Sequence, residues 1–471
     1  MARMSQTSLP SSAQVQPWWK LLNGYHWFVL MVASAAWFFD CLDQRLFSLA
    51  RVPALEELMK LPASDASLQA YGKTVTACFL IGWGIGGMIF GSLGDKYGRT
   101  KMLTLTILIY SAFTGLSYFS INKFDFTLYR FLTGLGVGGV FGLAVALIAE
   151  TVPSGARAQS LGLLQVLSTV GNVSAGFALK GVNSLEKSGV IASGSGWRWM
   201  FLIGALPAAL IIFTGKYLKE PESWLQLKRD GRLPQGGLFA PYRGLFADKR
   251  WRKNLMVGAM IASTGVVGLW AIGEYAVDLQ SAVFANYYKA NVPPGVPDVA
   301  KWVSGQVGDA KFWAYLWNML GAAIGMWMFT RFANAVGRRA AFFVGFVSAL
   351  LVTLYVYKNM NSPQDAYWMM PLMGAAQLGV FAGFAIYLPE LFPSRLRSTG
   401  TSFCYNLGRF AAAAGSFFSA KLTTDVYGGF AKTNATLPLR YAAMTMCVIF
   451  LVGIAVLPFA PETKGQPLPE D

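Results

Sequence analysis

Gly91-Ser92-Leu93-Gly94-Asp95-Lys96-Tyr97-Gly98-Arg99-Thr100-Lys101 is the stretch on which the reading of this chain turns. It lies between two long apolar runs, roughly 74–94 and 102–120. Three basic residues and one acid share a tight turn. Charge placed between apolar runs in this way marks a short cytoplasmic connection between two membrane-crossing helices. Gly91 and Gly98 allow a sharp turn and close approach to a neighbouring backbone.

The stretch has an echo. Phe332-Ala333-Asn334-Ala335-Val336-Gly337-Arg338-Arg339 aligns with Leu93-Gly94-Asp95-Lys96-Tyr97-Gly98-Arg99-Thr100, 239 positions apart. Glu150-Thr151-Val152-Pro153-Ser154-Gly155-Ala156-Arg157 aligns with Glu390-Leu391-Phe392-Pro393-Ser394-Arg395-Leu396-Arg397, and Pro221-Glu222-Ser223 with Pro461-Glu462-Thr463, each 240 apart. The chain is therefore expected to be two tandem halves of the same orientation. Asn334 stands where Asp95 stands in the first copy, so the electrostatic work of the loop is expected from the first half.

Composition agrees. Of 471 residues, 54% are hydrophobic and only 13% charged, about half the charge of a soluble chain. The net charge of +16 could point to nucleic acid, but the basic residues lie in loops between apolar runs. Their bias puts both termini inside. Cys41, Cys78, Cys404 and Cys447 fall in apolar runs without metal-ligand spacing and read as packing residues. The lone histidine, His26, reads as interfacial. No nucleophile–base set, metal cluster or phosphate loop is legible, so neither an enzyme nor a cofactor is expected.

The pattern predicts an all-α membrane protein of twelve transmembrane helices. A flexible tail covers 1–24, a first six-helix bundle 25–218, a cytoplasmic linker 219–253, a second bundle 254–460 and a tail 461–471. Outer loops are expected at 51–73, 281–311 and 421–438. Glycine runs in the second and fourth helices superficially contain a dinucleotide-binding pattern. They lie inside apolar spans, where small residues serve close helix packing instead.

Ionisable side chains inside a span cost about 2.5–3.5 kcal/mol each at a helix centre, so they face the interior, pair or serve transport. Here they are Asp40, Asp43, Arg45, Arg130, Glu274, Asp278 and Arg409. Asp40 and Asp43 share a helix face, as do Glu274 and Asp278. A carboxyl pulled one way by burial and the other by an arginine can both gain and lose a proton. Asp40, Asp43, Arg130 and Glu274 are thus candidates for proton coupling. Arg409 lies about twelve residues into its helix, roughly 18 Å and near the midplane, where its planar fork suits a carboxylate.

The loop order G-x-L-x-D-x-x-G-R-x-K resembles the loop 2–3 signature of the major facilitator superfamily. Leu132-Thr133-Gly134-Leu135-Gly136-Val137-Gly138, with Leu147, Glu150 and Arg157, is similar to a signature shared by its sugar porters and organic-acid symporters. Asp40-x-x-Asp43 and Asn406-Leu407-Gly408-Arg409 resemble the acid pair and the arginine of aromatic-acid and sialate proton symporters. The resemblance implies two parallel six-helix bundles with substrate between them. It implies gating residues Gly91, Asp95, Gly98, Arg99, Glu150, Arg157, Glu390 and Arg397, with Asp95 near Ser398, and a proton-transfer role for Arg130. Substrate contacts are expected at Arg409, Asn406, Gln377 and Trp270. Sugar porters carry paired glutamines where this chain reads Gly268-Leu269-Trp270-Ala271-Ile272-Gly273-Glu274, and exporters a Gly-Pro pair where it reads Gly171-Asn172. Proton-coupled uptake of a small organic anion by a monomer in the cell membrane is the expectation. A neutral metabolite such as a sugar, or export, is the alternative.

Overall fold

The structure is a computed structural model and describes residues 16–62 and 65–470. Its spanning helices are α1 (Gly24–Met59), α2 (Ala66–Tyr97), α3 (Arg99–Leu116), α4 (Lys123–Thr151), α5 (Ser154–Lys187) and α6 (Gly196–Tyr217). The second set is α7 (Lys249–Ala290), α8 (Val299–Val336), α9 (Arg338–Asn359), α10 (Pro363–Glu390), α11 (Arg397–Lys421) and α12 (Leu437–Phe459). Apolar segments in lipid must satisfy their own backbone groups, and a helix does so within one segment. Ten of the twelve carry an 18-residue window apolar enough to cross a bilayer. The other two are α8 and α11, and α11 buries Ser398, Thr399, Thr401, Ser402, Asn406 and Arg409.

Repetition extends to the helix starts. Asn122 with Asp125 opens α4 in a reciprocal cap, and Ser362 with Asp365 opens α10 the same way. In the first half α1 packs on α5, and both α2 and α3 pack on α4. In the second, α7 packs on α11, and both α8 and α9 on α10. The halves meet along α2–α11 and α5–α8. The fold is the major facilitator fold, two parallel six-helix bundles. The face that carries the Asp95 loop, Leu22 and Glu462 is termed the tail face below.

Several expected loops and boundaries differ. The predicted outer loop 281–311 is mostly helix, because α7 continues to Ala290 and α8 begins at Val299. The loop before α2 is shorter than expected, because α1 runs on to Met59. Part of the expected flexible tail is ordered: Trp18–Leu21 forms a helical turn and Leu22 is buried, while residues 1–15 lie outside the described residues. The linker holds two short helices, Glu222–Arg229 and Ala240–Ala247.

Candidate functional site

At the tail face, Asp95 lies fully buried against the start of α11. One carboxylate oxygen accepts from the Ser398 N–H at 3.1 Å, and the other from the Thr399 N–H at 2.8 Å and its hydroxyl at 2.5 Å. A helix N-terminus presents unpaired N–H groups and a positive dipole end, so a carboxylate is favoured there. Arg99 holds Asp95 at 3.1 Å and forks onto both oxygens of Glu150, each at 3.1 Å. Arg397 of the other half reaches the same Glu150 at 2.7 Å, and Ser394 donates to it at 3.0 Å. One buried carboxylate thus joins two arginines, one from each half.

The second copy is built differently. Arg338 forks onto Glu390 at 3.1 and 2.9 Å. Arg157, the counterpart of Arg397, donates to the Ala149 carbonyl at 2.8 Å and forms no ion pair among the described residues. Asn334 accepts from Arg338 at 3.0 Å within its own half. At the tail face, among the described residues, the cross-half carboxylate contacts belong to Asp95 and Glu150.

Gly98 and Gly337 have φ of 116° and 107°, the left-handed side that glycine tolerates. At each, a carboxylate occupies the space a side chain would take, Glu220 in the first half and Glu462 in the second. Glu220 accepts from the N–H groups of Thr100 and Lys101, and Glu462 from those of Arg338 and Arg339. The sequence match had paired Glu222 with Glu462; Glu220 takes that part, and Glu222 pairs with Arg229 at the surface. Burial raises the Glu220 carboxyl above its ordinary range despite these donors. Burial also acts on Glu462, but its four backbone N–H donors outweigh it and hold that carboxyl low. As pH falls, the first-half clamp is therefore protonated before the second.

Along α2 run two stripes of glycine. Gly82 and Gly86 meet the α4 backbone at Phe131 and Leu135. Gly84, Gly87, Gly91 and Gly94 face Phe410, Asn406, Ser402 and Ser398 of α11. The first stripe joins helices within one half, the second joins the halves.

Near the middle of the chain's spans, Arg409 is buried with its guanidinium 3.6 Å from the Trp83 ring and 4.6 Å from Tyr405. It donates to the Tyr405 carbonyl at 3.1 Å, and its Nε has no partner. Trp270 meets Trp83 edge-on at 6.0 Å across the halves. Asn406 donates to the Gly138 carbonyl at 3.3 Å, and its own carbonyl oxygen is unpaired. Phe141 stacks on Tyr405 at 3.8 Å, with Trp37 at 5.1 Å from Phe141 and Phe381 at 6.4 Å from Tyr405. Gln165 accepts from the Trp37 indole at 2.9 Å and donates to the Phe381 carbonyl of the other half at 3.2 Å. These four aromatic residues and Gln165 were not singled out from the sequence, where aromatic residues in an apolar run look like any packing residue.

Asp40 and Asp43 are both fully buried on α1. Asp40 accepts from Gln44 at 3.3 Å and leaves one oxygen unpaired. Asp43 accepts from Thr114 at 2.8 Å and lies 3.7 Å from Arg130, which also donates to Ser117 at 2.7 Å and Thr133 at 3.0 Å. Asp43 and Arg130 sit among helices of the first half alone. Gln377 does not join the central group: it turns to α9 and donates to Thr353 at 2.8 Å. The side chain of Glu274 lies outside the described residues.

Residues 18–250 and 308–470 match the family described as Sugar (and other) transporter. A metabolite transport protein of Haemophilus influenzae is 28% identical, over 95% of this chain and 99% of that one. The cis,cis-muconate transport protein of Acinetobacter baylyi is 25% identical, over 82% of this chain and 84% of its own length. The proton:xylose symporter XylE of E. coli superposes with a TM-score of 0.68 at 18% identity, over 94% of this chain and 98% of its own. The chain belongs to the sugar (and other) transporter family, and it is a membrane-spanning secondary transporter of the major facilitator type.

Proposed function

We propose that this protein carries a small organic anion together with protons, its two halves rocking about the central site. The carrying observation is Arg409. A guanidinium buried between aromatic rings of both halves, with no carboxylate within ion-pair distance among the described residues, leaves a charge that an anionic ligand would complete. The flanking rings of Trp83, Trp270, Tyr405 and Phe141 suit a flat, conjugated acid, and the relative named for cis,cis-muconate supports that class. Asn406 with its unpaired carbonyl oxygen stands beside the same centre.

Asp40 and Asp43 are the proton sites in this reading, with Arg130 setting how readily Asp43 gives its proton up. Asp95, Arg99, Glu150 and Arg397 hold the tail face shut, and Gly91 and Gly98 let that closure pack tightly. Arg157 and Glu390 complete the second copy of the loop. The tail face is cytoplasmic.

The test is uptake of cis,cis-muconate into proteoliposomes under an imposed proton gradient, with xylose as the neutral comparison. Accumulation of muconate that collapses with the gradient is expected. Arg409→Lys should weaken muconate affinity by about 10- to 100-fold, because an ammonium cannot copy the bidentate fork, while the protein stays folded. Gradient-driven accumulation of xylose but of no carboxylate would overturn the anion reading.

A further inference from the structure

Trp270 reaches Trp83 from an irregular part of its helix. Within α7, Gly268–Ile272 forms a π-helical turn, closed by the Gly273 N–H on the Gly268 carbonyl. Such a turn absorbs one extra residue, and π-bulges recur at functional sites. One residue is about 100° of helical rotation, so the bulge decides which side chains of α7 face the other half. Something must hold it in that register.

The holder comes from α9. Tyr357, buried, donates its hydroxyl to the Ile272 carbonyl at 2.5 Å, at the end of the π-turn. The end of α9 that carries Tyr357 is itself clamped by Arg440 of α12, which donates to the carbonyls of Tyr357 at 2.7 Å, Lys358 at 3.0 Å and Met360 at 2.6 Å.

The repeat separates general architecture from special purpose. Tyr118 stands 239 positions before Tyr357, the spacing that relates Arg99 to Arg338. Its carbonyl is likewise taken by an arginine, Arg198 of α6. The arginine clamp is therefore common to both halves. The tyrosine ring is not used alike: Tyr118 packs edge-on to Phe119 and Trp199. The α1 helix, the counterpart of α7, runs from Gly24 to Met59 with Pro53 inside it but without a π-turn. Among the described residues, the hydroxyl contact and the bulge occur together, in the second half.

We propose that Tyr357 is a positioning residue: its hydroxyl fixes the π-turn of α7 and so holds Trp270 against Trp83 beside Arg409. The effect on transport rests on the organic-anion reading of that centre; the effect on the α7 backbone does not.

Tyr357→Phe keeps the ring and its packing and removes the hydroxyl that donates to Ile272. Two measurements on the full-length protein decide the matter. Hydrogen exchange of peptides covering 266–277 should quicken by about five-fold, the worth of one hydrogen bond, with peptides from α9 and α12 unchanged. In proteoliposomes the KM for cis,cis-muconate should rise by a similar factor while the maximal rate is kept. Tyr118→Phe should do neither. Unchanged exchange at 266–277, or quickening spread equally over α9 and α12, overturns the proposal. If the unaltered protein does not carry muconate, the organic-anion reading fails, and the exchange data still decide the role of Tyr357.

Discussion

Arg130 and Arg409 are both arginines buried in apolar helices, and their neighbours set them apart. Arg130 is surrounded by the hydroxyls of Ser117 and Thr133 and faces Asp43. Arg409 has rings and a backbone carbonyl. Both guanidiniums lie over rings, Arg130 over Phe201 at 4.5 Å and Arg409 over Trp83 at 3.6 Å; the difference is the carboxylate, since Arg130 has Asp43 at 3.7 Å and Arg409 has none within ion-pair distance among the described residues. Asp43→Asn tests the first arrangement. The amide copies the protonated acid, a state that the proposed cycle visits, so the protein should fold normally. It should lose uphill accumulation under a proton gradient and keep counterflow exchange of labelled muconate. Full accumulation in both Asp43→Asn and Asp40→Asn would place the proton elsewhere. The charged members were legible in the sequence because an ion in an apolar run is rare enough to count. Trp37, Phe141, Phe381 and Gln165 were not, since 14% of the chain is aromatic and spacing does not say which rings meet. Gln377 failed for the same reason: position along α10 does not reveal that it turns toward Thr353.

At the scale of elements, the junction of α2 and α11 is a carboxylate set into a helix start. Asp95→Asn keeps the shape and removes the charge that the two N–H groups and the dipole favour. A shift of about 1–2 kcal/mol toward the state open at the tail face is expected. A cysteine at Ser402, fully buried in the closed junction, reads it directly. Its labelling by a membrane-impermeant maleimide from the tail face should quicken by about 10-fold in the Asp95→Asn background. Equal labelling in both backgrounds would deny Asp95 a part in closure. The helix ends at the tail face were legible because loop charges and glycines mark them. Their far ends were not: α1, α7 and α8 run well past their apolar cores, and polar residues at 281–311 form helix as readily as loop. Hydropathy locates what lies in lipid and is silent on a helix that projects beyond it.

The whole molecule is a repeat with one deliberate imbalance. Glu150 ties the halves through Arg99 and Arg397, while Glu390 stays with Arg338 in its own half. Removing the shared acid leaves two buried arginines facing each other. Glu150→Gln should therefore cost about 3–5 kcal/mol in this state. Arg157→Ala, which gives up a contact to a carbonyl, should cost about 1 kcal/mol. Thermal unfolding of the two purified variants should rank them in that order, and equal losses would remove the case for Glu150 as the tie between halves. The two-fold arrangement itself was legible from three matched segments 239 or 240 positions apart. The imbalance was legible only at Asn334. Which of Arg157 and Arg397 crosses the junction depends on how the halves dock, and no local pattern encodes that.

The two glycine stripes of α2 divide the consequences of chance variation. Gly82 and Gly86 press on a partner they never leave, so an alanine there spoils assembly, and the carrier disappears from the membrane. Gly84, Gly87 and Gly91 press on α11 of the other half, which the proposed rocking would pull away, so an alanine there is expected to wedge the closure. A population of variants would thus contain two kinds of silent carrier, one absent and one present but stalled. Neighbouring positions on a single helix would sort between them by the side of α2 they occupy.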